Sequence, residues 1–342
     1  MNEQLTPEAY NQRMAQLDLQ TASQVYDIQS RLARFIQKYP QRENRNIMTE
    51  GAYGNYLYQV KEVYHSYDCS DAEECRYCTQ LQLGSKFCYD MYQFGVNIDH
   101  CYECSQTGHN ISNCAFCYSM VENCFNMLYC LNCFSSKNCF ACYGLKKHQY
   151  CILNKQYTKE EYFNLLEKCI QKMQEDGEWG EFHPASKSHI PYNDSMAQIW
   201  FPITQKKAEE RGLTWKDESQ RNKELEGEHH IPLPISQYDE SIVGYETANT
   251  NITACISGMI KCQKTGRAFT IIKQELLFYL QNKIPLPTHH PDERRQRRKA
   301  LRDSRYMYNR TCAQCGCDIA TPYSPERPEK VVCEECYRKL VY

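Results

Sequence analysis

Fourteen of the 22 cysteines in this chain fall between Cys69 and Cys151, and they fall in register. Cys75, Cys88, Cys101 and Cys114 recur every 13 residues, and Cys78, Cys104, Cys117 and Cys130 share that period with Met91 in the vacant place. Further on the register tightens: Cys124, Cys133, Cys142 and Cys151 recur every nine residues, as do Cys130 and Cys139. Self-similarity at a fixed period marks a repeat architecture whose units stack on one another. Cysteines three apart (75/78, 101/104, 114/117, 130/133, 139/142) cannot share a face of a straight strand, where side chains alternate with period two. The chain must bend between them. A solenoid corner bends it, and so does a metal knuckle. The pairs are followed by Thr79, Ser105, Tyr118, Phe134 and Tyr143, never by glycine, and five pairs do not divide into fours. Single cysteines also hold the register of paired ones. These features favour a β-solenoid with stacked inward cysteines over multiple metal sites, with helical packing of the repeats as a further alternative.

Cys312 and Cys315, followed by Cys333 and Cys336, form two Cys-x-x-Cys knuckles at a separation that places four thiolates around one Zn²⁺. Gly316 follows the first knuckle, where the backbone needs room to turn its N–H groups toward the sulfurs. Four protein ligands leave no open coordination position, so the expected zinc is structural rather than catalytic. A segment upstream has the same layout, with Cys262 and His290 where ligands would stand. Thr265 and Glu293 replace the other two cysteines. Cys255, Cys262, His289 and His290 make an irregular ligand set, and a ribbon that folds without metal is the stronger reading.

The remaining segments read as helices and connectors. Thr6, Pro7 and Glu8 start a helix, and Tyr10, Met14, Leu17, Val25, Ile28, Leu32, Phe35 and Tyr39 give one apolar seam ending at Pro40. That seam lies either on the protein's own core or against a second copy. Thr158 and Glu161 form a capping box for a helix expected to cap the open end of the repeats. His229 and His230 read as part of a solvated turn. The expected fold is mainly β with helices, in five segments. Residues 1–50 form the N-terminal helix and 51–155 a Cys/Tyr-rich solenoid. Residues 156–235 form a capping helix and connector, 236–310 a degenerate ribbon with a basic helix, and 311–342 the zinc ribbon.

Several stretches resemble an uncharacterised family of cysteine-rich, zinc-ribbon-ending bacterial proteins. They include Phe140-Ala-Cys-Tyr-Gly-Leu145, Trp179-Gly-Glu-Phe182, Tyr192-Asn-Asp-Ser-Met-Ala197, and 321–328 leading into Cys333-Glu-Glu-Cys-Tyr337. The resemblance covers residues 51–342 and implies cysteine repeats followed by ribbons. Some members carry a CoA-transferase label, for which no residue here gives support.

A net charge of −2 excludes a globally basic nucleic-acid binder. A local basic run remains: Arg294, Arg295, Arg297, Arg298, Lys299, Arg302 and Arg305. Helical spacing would set Arg294, Arg298 and Arg305 on one face and Arg295, Lys299 and Arg302 on the next. Such a surface suits RNA, DNA or a ribosome; a solvated helix paired with nearby acids is the plain alternative. No stretch of 18 apolar residues and no apolar leader occurs, so a cytoplasmic chain without membrane contact is expected. Nucleotide, hydrolase and metalloprotease motifs are absent. The resulting expectation is a non-enzymatic zinc-stabilised binding or scaffold protein. The alternative is a thiol-redox protein or other enzyme working through the cysteine repeats, which would need exposed low-pKa thiols.

Overall fold

A computed structural model of the chain describes residues 3–17, 19–217, 229–232 and 258–341. They fall into two compact units, one of residues 1–39 with 190–302, the other of 40–189 with 303–342. These units cut across the five sequence segments.

The β-solenoid is present and dominates the second unit. Its nine strands follow chain order from Ile47–Ser70 to Lys155–Gln156 and pair in parallel, except for the last, antiparallel pair. Paired residues are 12 or 13 apart, as in Val63 with Cys75, Ile98 with Ile111, and Cys139 with Cys151. The backbone rule beneath this period is a triplet. Nearly every third residue from Tyr56 to Tyr150 has positive φ, between 43° and 65° among the non-glycines, and so turns a corner. The residue after each corner points inward: Leu57, Val60, Val63, then Cys75, Cys78, Leu81, and onward to Cys139 and Cys142, all buried. Four triplets close one twelve-residue turn. Thirteen results where one side takes a fourth residue, as at 107–110 and 120–123.

This geometry corrects the nine-residue register. Nine residues span three sides of a turn, so Cys124, Cys133, Cys142 and Cys151 stand in successive columns rather than one. Turns in that region are 12 residues long, with Lys137 beside Gln149.

Cysteine suits the interior because each turn brings four inward side chains together between walls three residues wide. Small side chains predominate there, with Leu81, Ile98, Ile111 and Met127 set among them, and a thiol adds a weak donor to a small apolar body. Its sulfur reaches the carbonyl two residues back and one in the next turn. Cys78 donates to Arg76 O at 3.1 Å and Cys88 O at 3.3 Å, and Cys117 to Ala115 O at 3.2 Å and Met127 O at 3.4 Å. Serine substitutes in kind, Ser136 donating to Phe134 O at 2.7 Å.

Left-handed corners cost an L-residue roughly 1–2 kcal/mol, least for asparagine. Asn97, Asn110, Asn113, Asn123, Asn126, Asn132 and Asn138 all occupy them. Their amides also stack: Asn97 donates to Asn110 at 3.2 Å, Asn110 to Asn123 at 3.1 Å, and Asn126 to Asn138 at 3.0 Å.

Both ends of the stack are managed. At the start, the Asn46 side chain donates to Gly54 O and accepts from Leu57 N, each at 3.1 Å. At the finish, Lys155–Gln156 folds back onto Gln149–Ile152. The helix Lys159–Glu175 has the expected capping box at Thr158 and Glu161. It does not cap the open end, however. Tyr162, Leu165, Leu166, Cys169 and Met173 pack along a side of the stack, on Phe116, Tyr129, Phe140 and Ile152 of successive turns.

In the other unit, the expected single N-terminal helix is two, Pro7–Ala15 and Ala22–Ile36. Thr21 caps the second one, with its N–H bonded to the Gln24 side chain at 2.8 Å, and so breaks the seam between the two helices. The upstream ribbon pairs Met259–Lys261 with Ala268–Phe269 over a core of Ile260, Phe269, Ile271, Leu276, Leu280 and Leu286. His229–His230 is not a turn but a short strand beside Met259–Lys261.

The interior should rank substitutions by size before polarity. Cys114→Ser retains a donor for the Ser112 carbonyl and is expected to cost about 1 kcal/mol. Cys114→Leu overfills the turn and should cost about 3 kcal/mol. Urea unfolding of the two variants tests the order; a Leu variant as stable as the Ser variant would refute the tight interior.

Candidate metal centre

The C-terminal ribbon is built on the hairpin Tyr308–Thr311 with Asp318–Thr321. Cys312 leaves its first strand and Cys315 sits on the turn, where Gly316 has φ 76° and donates to Cys312 O at 2.9 Å. Cys333 precedes the helix Glu334–Val341, and Cys336 lies in its first turn, where burial and the neighbouring sulfurs hold its thiol up. The sulfurs of Cys312, Cys315, Cys333 and Cys336 all lie within 4.8 Å of one another. Among the described residues they are the one group of three or more His, Cys, Asp or Glu side chains converging in this way. Cys315 and Cys333 are 3.8 Å apart, close to the edge of a tetrahedron with metal–sulfur bonds of about 2.3 Å. Burial pushes the Cys312 thiol up, but backbone N–H groups of Cys315, Cys333 and Gln314 outweigh it and bring it down to about 5. The donor set therefore fits a thiophilic metal ion.

This ribbon also closes the first turns of the solenoid. Val331–Val332 pairs in parallel with Gln41–Arg42, Arg42 forms an ion pair with Glu334, and Glu334 N donates to the Glu43 carboxylate at 3.1 Å. Asp303 lies 3.3 Å from the Asn55 amide and 3.6 Å from Arg45.

Sequence reasoning passed over Cys317. Its sulfur lies 3.4 Å from that of Cys315, and both residues are exposed. The signal was there to read, since Cys315-Gly-Cys317 follows the first knuckle without a break.

The upstream ribbon repeats the knuckle without the ligands. Gly266 has φ 71° and donates to Cys262 O at 2.9 Å, and Cys262 N donates to Arg267 O as Cys312 N does to Cys317 O. The remaining positions are used differently. Lys264 bonds Glu293 at 2.7 Å, His290 accepts from Asp292 N at 3.2 Å, and His289 meets the Tyr26 hydroxyl at 3.3 Å. Cys262, His289 and His290 are thus not drawn into a ligand group, and Cys255 lies outside the described residues.

Nor does the structure gather the basic run on one helical face. The helix Pro291–Ala300 ends before Arg302 and Arg305. Arg294 donates to the Tyr279 hydroxyl at 3.1 Å and lies 3.6 Å from Glu275. Arg305 belongs to the solenoid unit, where it bonds Asp68 at 2.9 Å with its side chain 11% exposed. Arg297 lies over the Tyr26 ring at 4.2 Å, and Lys299 and Arg302 lie over Trp200 at 5.2 and 5.6 Å. Arg295 and Arg298 are exposed on the helix, with Arg295 3.9 Å from Asp292.

Burial pushes the Cys69 thiol up to about 12 and the Cys124 thiol up to about 11, and it raises Cys104 and Cys114 further. These raised thiols stay protonated, whereas hydrogen bonds from neighbouring thiols lower Cys75, Cys101, Cys133 and Cys142, which are all buried away from solvent. No helix among the described residues is long and apolar enough to cross a membrane. No family model, curated protein or solved structure matches this chain.

The native chain should carry one tightly held metal ion. Cys333→Ser should lose it and release residues 303–341 and 41–43 to rapid hydrogen exchange, because binding at such a ribbon is folding energy. Cys262→Ser should keep the full metal content. Elemental analysis of both variants decides; three or more ions in the native chain would move the solenoid thiols into the metal-binding class.

Proposed function

We propose that this protein is a zinc-stabilised, non-enzymatic scaffold that presents its outer surface to a partner, with exposed arginines contacting a nucleic-acid backbone. The observation that carries this reading is the filled solenoid interior. Its fourteen cysteines are all buried, each 2% exposed or less, so they build the wall stack rather than a reactive site. Four thiolates select zinc among common divalent ions, and a closed set of four suits a structural role. A cleft of about 460 Å³ in the unit of residues 1–39 and 190–302 is lined by residues such as Asp194, Lys216, Arg267 and Asp292. None of its lining residues is a cysteine or histidine, and these charges are paired, Lys216 with Asp194 and Arg267 with Asp292. The thiol-redox alternative therefore has little to draw on. The described cysteines are all free thiols, which suits a reducing, cytoplasmic setting.

Nucleic acid, ribosomal RNA included, is the partner class that the remaining exposed cations favour. Arg295, Arg297, Arg298 and Arg302 are exposed, whereas Arg294 and Arg305 serve the fold. Contact with a second copy is a further reading, favoured by Leu32 and Leu17, which stay 55% and 41% exposed on the N-terminal seam.

Two measurements test this. Binding to RNA and DNA should weaken with salt, and replacing Arg295 and Arg298 by Gln should flatten the log–log slope by about 1.4–1.8, at roughly 0.7–0.9 per phosphate contact. Arg305→Gln should instead leave the slope intact and lower stability by on the order of 2 kcal/mol, because it removes the ion pair with the half-buried Asp68. Salt-independent or absent binding removes the nucleic-acid reading. In timed alkylation of the native protein, the solenoid thiols should stay silent while Cys317 reacts; several fast solenoid thiols would establish the redox alternative.

A further inference from the structure

The thiol left over at the metal centre supports a second inference, which rests on the zinc reading above. Cys317 and Cys315 are the exposed members of the described cysteines; the rest are buried or half-buried. Their sulfurs are 3.4 Å apart across the turn at Gly316. A disulfide needs about 2.05 Å, so about 1.4 Å of approach would join them, within the swing of an exposed side chain. Cys333 at 3.8 Å, and Cys312 and Cys336 within 4.8 Å, are fellow members of the four-sulfur group. Cys317 alone among the five thiols is not needed to fill the tetrahedron. It can therefore react without first leaving the metal.

We infer that Cys315 and Cys317 form an oxidation-driven metal-release switch, with a hydroperoxide as the oxidant. The Cys315 thiolate attacks the peroxide oxygen, the O–O bond breaks, and two electrons pass from sulfur to the departing oxygen. That oxygen leaves as an alcohol, or as water from hydrogen peroxide, and Cys315 becomes a sulfenic acid. The Cys317 sulfur then attacks the Cys315 sulfur. An S–S bond forms, the S–O bond breaks, and hydroxide leaves with the Cys317 proton as water. Overall, one thiolate, one thiol, one hydroperoxide and a proton drawn from solvent by the departing oxygen give one disulfide, one alcohol and one water. The Cys315 sulfur has then lost the negative charge with which it held the ion. Three thiolates remain, and the zinc is released. The first turns of the solenoid feel the change, because Val331–Val332 and Glu334 hold Gln41–Arg42 and Glu43 in place.

The test uses the full-length zinc-loaded protein and its Cys317→Ser variant, each treated with hydrogen peroxide while a zinc-sensing dye follows release. Both should hold one zinc beforehand, and release should be at least roughly tenfold slower without the resolving thiol. Trypsin yields a peptide of residues 311–330 containing Cys312, Cys315 and Cys317, and only the oxidised wild-type peptide should be about 2 Da lighter. Reduction with dithiothreitol should restore zinc binding. Equal release rates, or the same lighter peptide from Cys317→Ser, overturn the switch alone. A Cys317→Ser variant that binds no zinc makes Cys317 a ligand and also overturns it. A wild-type chain that takes up no zinc under anaerobic reconstitution overturns the metal reading and the switch together.

Discussion

A left-handed corner at every third residue is the constraint from which the rest of this molecule follows. It shortens each side of a turn to three residues, so one residue in three faces inward and four of them must share each layer. An interior that narrow sets its large side chains, such as Leu81, Ile98, Ile111 and Met127, among smaller ones, most of them thiols. Cysteine answers the size limit, and its sulfur meets carbonyls that the corner leaves facing the lumen, as between Cys78 and Arg76 O at 3.1 Å. The strained corners are held by stacking, because each turn is hydrogen-bonded to its neighbours through parallel bridges. A single turn could not persist alone; the strain is tolerable only within the array.

An array has ends, and its two ends are treated unequally. The C-terminal end relies on chain reversal at Lys155–Gln156, with the helix Lys159–Glu175 laid along one side. The N-terminal end relies on a separate module brought back from residues 303–341. Asp303 holds Asn55 and Arg45, Arg305 holds Asp68, and the ribbon strand Val331–Val332 takes Gln41–Arg42. The ribbon's own core is small, Ile319, Tyr323, Val331 and Val332 with the thiols, so a metal ion held by the four cysteines would supply cohesion that burial cannot. Local chemistry at four sulfurs thereby bears on how firmly the first turns are held.

Much of this was legible in the sequence because covalent spacing and shape coincide. Cys312, Cys315, Cys333 and Cys336 lie in two short knuckles whose geometry is fixed almost wholly by local backbone, and the structure brings their sulfurs together. The solenoid was legible from its 13-residue recurrence. Its triplet rule was less plain, because it is carried by varied residues that precede the cysteines rather than by the cysteines themselves. Asn-Cys at 113–114, 123–124, 132–133 and 138–139, with Asn-Ile at 97–98 and 110–111, spells out the corners. The nine-residue spacing misled because three sides and four sides both return a cysteine. Tertiary choices lay further from view. Nothing local told that Arg305 would seek Asp68 while Arg297 lay over Tyr26, or that a well-capped helix would lie along the stack instead of across its end.

The triplet also behaves as a reading frame. Adding one residue to an ordinary three-residue side would rotate every later residue by one place, sending outward tyrosines into the lumen and thiols to the surface. The sides at 107–110 and 120–123 escape this, because their fourth residue is absorbed before the next corner and Ile111 and Cys124 still face inward. The shorter side at 133–135 shows the same position without it. Length changes are therefore tolerated on this one edge of the prism and forbidden on the other three, which makes it the natural seam for lengthening the molecule or inserting a foreign loop.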